Sequence, residues 1–186
     1  MVDPERIQVR TMAPDEFATM RAVSINAFGD DESIGTLLDA LRASWAWADE
    51  LSFVAVLDGE IVAQVLFTSA LVDAPRELVE VLVLSPVGVR PDLHGQGIGS
   101  HLIRTALDEV RRIRSEPFVF LEGSPRYYPR FGFQPGGSLG FAKPSTRIPD
   151  PAFQVLAIDG AEPWMAGTLV YPDAFWRTDS VGLRGE

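Results

Sequence analysis

A chain of 186 residues, 46% of them hydrophobic, is long enough for one domain with a sizeable core and too short for two ordinary ones. Its formal charge of −10 opposes the counterion release that draws proteins onto nucleic-acid backbones, so cationic or amine partners are expected and nucleic acid is not. The sequence has no cysteine, which excludes disulfides, thiolate metal sites and a cysteine nucleophile.

The start, Met1-Val-Asp-Pro-Glu-Arg6, has neither a basic cluster nor an apolar run, and no stretch reaches membrane-spanning length. The expectation is a soluble cytoplasmic protein that does not bind membranes. Ile7 to Arg10 alternates like a short strand, and Pro14 with Asp15 and Glu16 behind it marks the first turn of a helix reaching about Ala27. A second helix is expected from Glu32 to Ala43. Ser52 to Leu57 and Glu60 to Phe67 are apolar segments joined by Asp58-Gly59, the dipeptide of a two-residue hairpin turn. Val81 to Leu84 is apolar at both parities and reads as a central strand covered on both faces. Pro86 and Gly88 interrupt it, so a bulge or splay is expected as the strand runs on to Val89. From Gly97 the period becomes helical, with Ile98, Leu102, Ala106, Val110 and Ile113 on one side and Arg104, Asp108, Arg111 and Arg112 outward. Phe118 to Leu121 is a further buried strand, and Phe153 to Ile158 and Thr168 to Tyr171 supply final strands. Proline and glycine thicken between Gln134 and Pro151, marking a long irregular connection within a single domain spanning residues 1–186. The class is α/β or α+β.

The segment Val87-Gly-Val-Arg-Pro-Asp-Leu-His-Gly-Gln-Gly-Ile-Gly-Ser100 joins the central strand to the strongest helix. Unpaired N–H groups and the positive dipole end of a first helical turn attract an anion, and glycine lets phosphate oxygens come close to the chain. A pyrophosphate suits that place, although glycine spacing alone equally fits a tight strand-to-helix turn. Gly95, Gly97 and Gly99 do not spell the G-x-G-x-x-G of a dinucleotide fold, and the closing Gly-Lys-Ser/Thr of a P-loop is missing. Gly136-Gly-Ser-Leu-Gly140 matches a nucleophile elbow, but both His94 and His101 precede it, so it reads as a loop. The two histidines lack a carboxylate cluster at matching spacing, and no metal is expected.

Val89-Arg-Pro-Asp-Leu-His-Gly-Gln-Gly-Ile-Gly99 resembles the acetyl-CoA signature of the GNAT superfamily, Q/R-x-x-G-x-G/A after a strand ending V-x-P. Tyr127-Tyr128-Pro-Arg-Phe-Gly-Phe133 is similar to that family's Y-x-x-x-G-F element. The likeness covers about Ile7 to Phe133, and residues 134–186 are expected to complete the sheet and an acceptor pocket. It implies a central, mostly antiparallel mixed sheet with a bulged fourth strand, flanked by helices. It also implies acetyl-CoA as co-substrate, held by Val87, Gly88, Val89, His94, Gly95, Gln96, Gly97, Ile98, Gly99 and Ser100. The activity implied is transfer of the acetyl group to a primary amine of a small molecule or peptide.

Three departures stand out. His94 occupies the place of the usual Gln or Arg. The asparagine that often opens the fourth helix is absent, and Leu121-Glu-Gly-Ser-Pro125 implies a shortened helix there. Leu84 and Ser85 stand where some members carry a base glutamate. In the family pattern Tyr128 protonates the departing CoA sulfur, a role suited to a phenol with a pKa near 10, unless the ring is merely core. Glu122, at the end of the fifth strand, is the candidate proton acceptor and Glu80 the second, against the reading of a solvated loop carboxylate. Tyr127, Trp45, Trp47 and Trp164 are candidates for the acceptor pocket or for plain core. Without cysteine a protein thioester is excluded, leaving direct attack in a ternary complex. A CoA-binding sensor without turnover and a noncatalytic acidic interaction domain are the rival readings, and a homodimer is left open.

Overall fold

The structure, a computed structural model, describes residues 2, 3 and 6–182; Met1, Pro4, Glu5 and residues 183–186, at the ends of the expected domain, lie outside it. Ile7–Thr11 (β1) pairs antiparallel with Ser52–Leu57 (β2). β2 turns back into Glu60–Asp73 (β3) through Asp58 and Gly59, whose φ angles of 52° and 85° are those a two-residue hairpin turn demands. β3 runs on to Asp73, past the expected end at Phe67, because one strand pairs with it throughout that stretch and a second flanks it from Leu71 on. One partner is Leu78–Val89 (β4); the other is Thr168–Val170 (β8). Phe118–Glu122 (β5), Gln134–Pro135 (β6) and Phe153–Ala157 (β7) complete a sheet ordered β1-β2-β3-β4-β5-β7-β6. Only the β4–β5 pair is parallel. The two final strands expected from the sequence are present but separate: β7 joins β5, and β8 joins β3.

Phe17–Ala27 (α1), preceded by a 3-10 turn at Pro14–Glu16, and Glu32–Arg42 (α2) cover one face. Their side chains Met20, Leu38 and Leu41 meet Leu66, Val83 and Phe120 from the sheet. Asp173–Arg177, a short helix (α4) unread in the sequence, packs on α2. Ile98–Ile113 (α3) covers the opposite face, burying Ile98, Leu102, Ala106 and Val110 at helical spacing against Phe53, Phe67, Leu82 and Val119. β4 lies between the two cores, which is why Val81 to Leu84 are apolar at both parities.

The expected bulge lies in the β3–β4 ladder. Val65 pairs with Val87 and Phe67 with Leu84, so Leu66 alone faces Ser85 and Pro86. The extra residue reverses the alternation of β4. Leu82 and Leu84 point toward α3 before the bulge, and Val87 and Val89 after it. Gly88 therefore faces α1, where a Cβ would stand 2.8 Å from the Cβ of Ala27. Glycine at this position lets the end of α1 lie directly on β4.

Gly88→Ala should lower stability by about 1–3 kcal/mol, since a methyl on Ala27 cannot swing aside as a long side chain would. Ala27→Gly in the same chain should restore part of that loss. Urea unfolding of the two single variants and the double variant checks this, and strict additivity would show that the two residues do not collide.

Candidate active site

β4 and β5 pair only at Leu82 with Val119 and Val83 with Phe120. Beyond that point β4 continues along β3 to Val89, while β5 turns its bonds toward β7, with Glu122 opposite Phe153. The two strands thus diverge and leave one edge of β4 unpaired over the bulged end.

α3 begins at the mouth of this gap. Its first intrahelical bond runs from His101 N–H to the Gly97 carbonyl at 3.0 Å, so the amides of Ile98, Gly99 and Ser100 have no intrahelical acceptor. Gly97, at φ 90°, caps the helix in the left-handed conformation, and Gly95 adopts φ 73°. A Cβ on either would meet nothing within 4 Å, so both glycines face open space. Gly99 differs: a Cβ there would come within 3.2 Å of Val89 and 3.3 Å of the Tyr127 hydroxyl, so it serves close packing of helix on strand.

The loop before α3 is tied down by charge. Arg90 forks between Glu60 at 2.9 Å and Asp92 at 2.8 Å, and this guanidinium holds the Asp92 carboxyl below its usual range. His94 lies 2.7 Å through Nε2 from the Val89 carbonyl. A carbonyl only accepts, so Nε2 carries the proton and the ring staples the loop to the end of β4.

A cavity of about 530 Å³ follows this cradle. Val87, Gly88, Val89, His94, Gly95, Gly97, Ile98, Gly99 and Ser100 line it, all of them expected ligand contacts. Gln96 is not on the wall; its amide turns back toward the Asp92 carbonyl at 3.5 Å. Ala27, Phe28 and Arg130 line it too, none of them foreseen, and so does Tyr127, expected either in an acceptor pocket or in the core. The two tyrosines part company here. Tyr127 reaches the cavity with its hydroxyl 3.3 Å from Ser100 Oγ, under the Arg130 guanidinium. Tyr128 opens the 3-10 turn Tyr128–Phe131 and packs its ring on Gly123, Phe131 and Phe133 behind the cavity wall. Its hydroxyl makes no hydrogen bond to any described residue, and burial, with Tyr127 beside it, pushes the phenol up to about 12.

Glu122 lies outside the cavity. It ends β5 two residues beyond Phe120, the last residue paired with β4, on the part of β5 that pairs with β7. Burial pushes its carboxyl above the usual range, offset in part by hydrogen bonds from the Tyr171 hydroxyl and the Gly182 N–H. Glu80, the second candidate, lies near the start of β4, away from the divergence, on a different surface with Glu116 and Trp164. Trp47 packs on Phe17, and Trp45 is exposed near α4, so neither lines this cavity. Among the described residues no group of three or more His, Asp or Glu is placed to hold a metal ion.

The arrangement suits a ligand with an anionic group at the amides that open α3 and an extended arm along the free edge of β4. Residues 8–136 match the family model described as acetyltransferase (GNAT) domain. The chain is 33% identical over 129 residues to the uncharacterized N-acetyltransferase YjhQ of Escherichia coli K12, covering 67% of this chain and 68% of that protein. A GNAT family acetyltransferase from Brucella melitensis, solved in complex with acetyl-CoA, is 32% identical with a TM-score of 0.71, over 91% of this chain and 97% of that one. YhbS from Escherichia coli, solved in complex with CoA, shares the fold at 24% identity and a TM-score of 0.79, over 95% and 96% of the two chains. The chain belongs to the GNAT family of acetyltransferases.

Acetyl-CoA at about one hundred times its Kd should stabilise the protein by roughly 2.7 kcal/mol, read as a rise in Tm. Gly97→Val sets a branched side chain at positive φ and fills the open cradle. Its apo Tm should fall, with strain of about 1–3 kcal/mol, and its ligand-induced rise should vanish. A full rise in that variant would move the anion site away from the start of α3.

Proposed function

We propose that the protein transfers the acetyl group of acetyl-CoA to a primary amine of a small molecule or peptide, by direct attack within a ternary complex in the cytoplasm. One observation carries this reading: the left-handed glycines at the start of α3 open onto the cavity at the point where β4 loses β5 as a partner. The amides of Ile98, Gly99 and Ser100 would hold the pyrophosphate, with His94 fixing the loop that presents them. The unpaired edge of β4 at Val87, Gly88 and Val89 would carry the pantetheine arm and the thioester oxygen.

The chemistry then needs an uncharged amine and relief of charge on sulfur. Glu122 takes one proton from the incoming ammonium, directly or through water. The freed nitrogen lone pair forms a bond to the thioester carbon, the C–S bond breaks, and its electron pair leaves on sulfur. Tyr128 supplies a hydrogen bond and then a proton to that sulfur, and the second nitrogen proton, released as the amide forms, returns through water to the Tyr128 phenolate. A phenol at about 12 remains protonated at neutral pH. Proton transfer to a thiolate whose acid lies near 8.5 in water is uphill, so the hydrogen bond to developing charge is the larger part of this role.

Tyr127 offers a second reading, because its hydroxyl is the one on the cavity wall. Single-turnover thiol release against a panel of amines separates the two. Tyr128→Phe should slow the chemical step by about 10²-fold, the low end for a general acid, with acetyl-CoA affinity nearly unchanged. Tyr127→Phe should weaken binding more than chemistry. The reverse pattern transfers the acid role to Tyr127. Acetyl-CoA binding with no thiol release from any amine would make the chain a CoA-responsive module.

A further inference from the structure

The family match stops at residue 136, yet among the described residues the Gly182 amide, the Tyr171 hydroxyl and the Arg147 charge, which all act on the Glu122 carboxyl, come from the chain beyond it. The Gly182 N–H donates to Glu122 Oε2 at 3.0 Å. The Tyr171 hydroxyl, 5% exposed as a residue, donates to the same carboxyl. Arg147 sends its charge toward it from the 141–152 connection, and is itself held by Asp179 at 3.3 Å. Tyr171, Arg147 and the Gly182 amide are the titratable, charged and donor groups that face this carboxyl among the described residues.

The segment that delivers Gly182 is built in detail. Val181 is fully buried in the core under α1 and α2. Ser180 N–H donates to the Phe175 carbonyl at 2.8 Å, turning the chain back after α4. Gly182 takes φ 60°, and a Cβ on it would lie 2.7 Å from the Arg147 backbone. Only glycine fits there, and the fit places its amide on the carboxylate. Burial disfavours the charge of this half-buried carboxyl, and the Gly182 amide, the Tyr171 hydroxyl and, through space, the Arg147 charge oppose that effect while the amide fixes the carboxyl at one place.

We propose that Tyr171 and the segment ending at Gly182 are positioning elements of the active site, which hold the Glu122 carboxylate ionised and aimed at the divergence of β4 and β5 to receive the proton of the acceptor amine. The inference rests on Glu122 as the proton acceptor. It adds that the C-terminal part of the chain sets the pH at which that acceptor is competent. The proton passes from the ammonium nitrogen to the carboxylate, and Tyr171 keeps its own throughout. Burial raises the Glu122 carboxyl, and the hydrogen bond from Tyr171 opposes that rise. Removing the hydroxyl therefore raises it further. A base must be unprotonated, so activity falls as pH drops through this value, and in the variant the fall begins at higher pH.

The test uses Tyr171→Phe, Arg147→Gln and Glu122→Gln in the full-length protein. Thiol release is followed across pH with acetyl-CoA and the best primary amine of the panel. In parallel, carboxyl carbon NMR of glutamate-labelled protein, with the signal assigned by Glu122→Gln, reports the titration with no substrate present. Tyr171→Phe is expected to move both the acidic limb of kcat/KM and the Glu122 titration upward by about one pH unit, a roughly tenfold loss below the limb. Arg147→Gln should move both by less in the same direction, and decides the matter if Tyr171→Phe fails to fold. Unmoved limb and titration, in a protein that Glu122→Gln does inactivate, would overturn the positioning role and leave the base intact. Full activity and an unchanged limb in Glu122→Gln would remove the base itself, and this inference with it.

Discussion

A sheet that keeps every backbone group paired has nowhere to receive an extended ligand. Here the pairing of β4 with β5 stops after Val83 and Phe120, and the rest of the site follows from that stop. An unpaired strand edge inside a domain costs free energy unless something meets its N–H and C=O groups. The cavity lined by Val87, Gly88 and Val89 is where a ligand would do so. The divergence also leaves room for α3 to begin at the end of β4 with its free amides facing the same space. One loss of pairing thus creates both the edge for an arm and the anion site for its charged end.

The divergence is held from both sides. On the α3 face, Val87 and Val89 rest on the core that includes Leu102 and Ile103, and His94 ties the loop to the Val89 carbonyl. On the α1 face, Gly88 brings Ala27 onto the strand. β5 is pulled the other way by its pairing with β7, five residues long from Phe118 with Ala157 to Glu122 with Phe153. The gap is therefore a consequence of where each strand finds its partners, and the buried side chains on the two faces make it rigid.

Much of the architecture could be read in the residues. Asp58-Gly59, the double-sided apolar run Val81 to Leu84, and the period from Ile98 to Ile113 each report a local physical need, and all lie where expected. The second half of β3 was not legible, because Thr68, Ser69 and Ala70 carry little strand signal and are held there by β4, with β8 flanking the strand only from Leu71 to Asp73. β6, two residues with a proline, and α4, five residues long, are too short to show any period. The glycine cradle was legible because it is contiguous. Which of two adjacent tyrosines reaches the cavity was not, since the 3-10 turn and the left-handed Gly132 after it set their directions. Nor could Glu122 be matched with Tyr171 and Gly182, because contacts between distant segments leave no mark in periodicity or local propensity. Some signal existed in Gly182, a glycine in an otherwise featureless tail.

The bulge at Ser85 and Pro86 also governs how this region can change in length. A proline and a glycine so close together have the look of a connector, where insertions and deletions are ordinarily tolerated. Deleting one of the two residues opposite Leu66 would restore even alternation along β4. Val87 and Val89 would then turn toward α1, and the place of Gly88 would turn toward α3, exchanging a packed valine face for a bare one on each side. The chain therefore admits substitution at these positions far more readily than a change in their number, and the length of the segment from Leu84 to Val89 is as strict a property of the protein as any side chain within it.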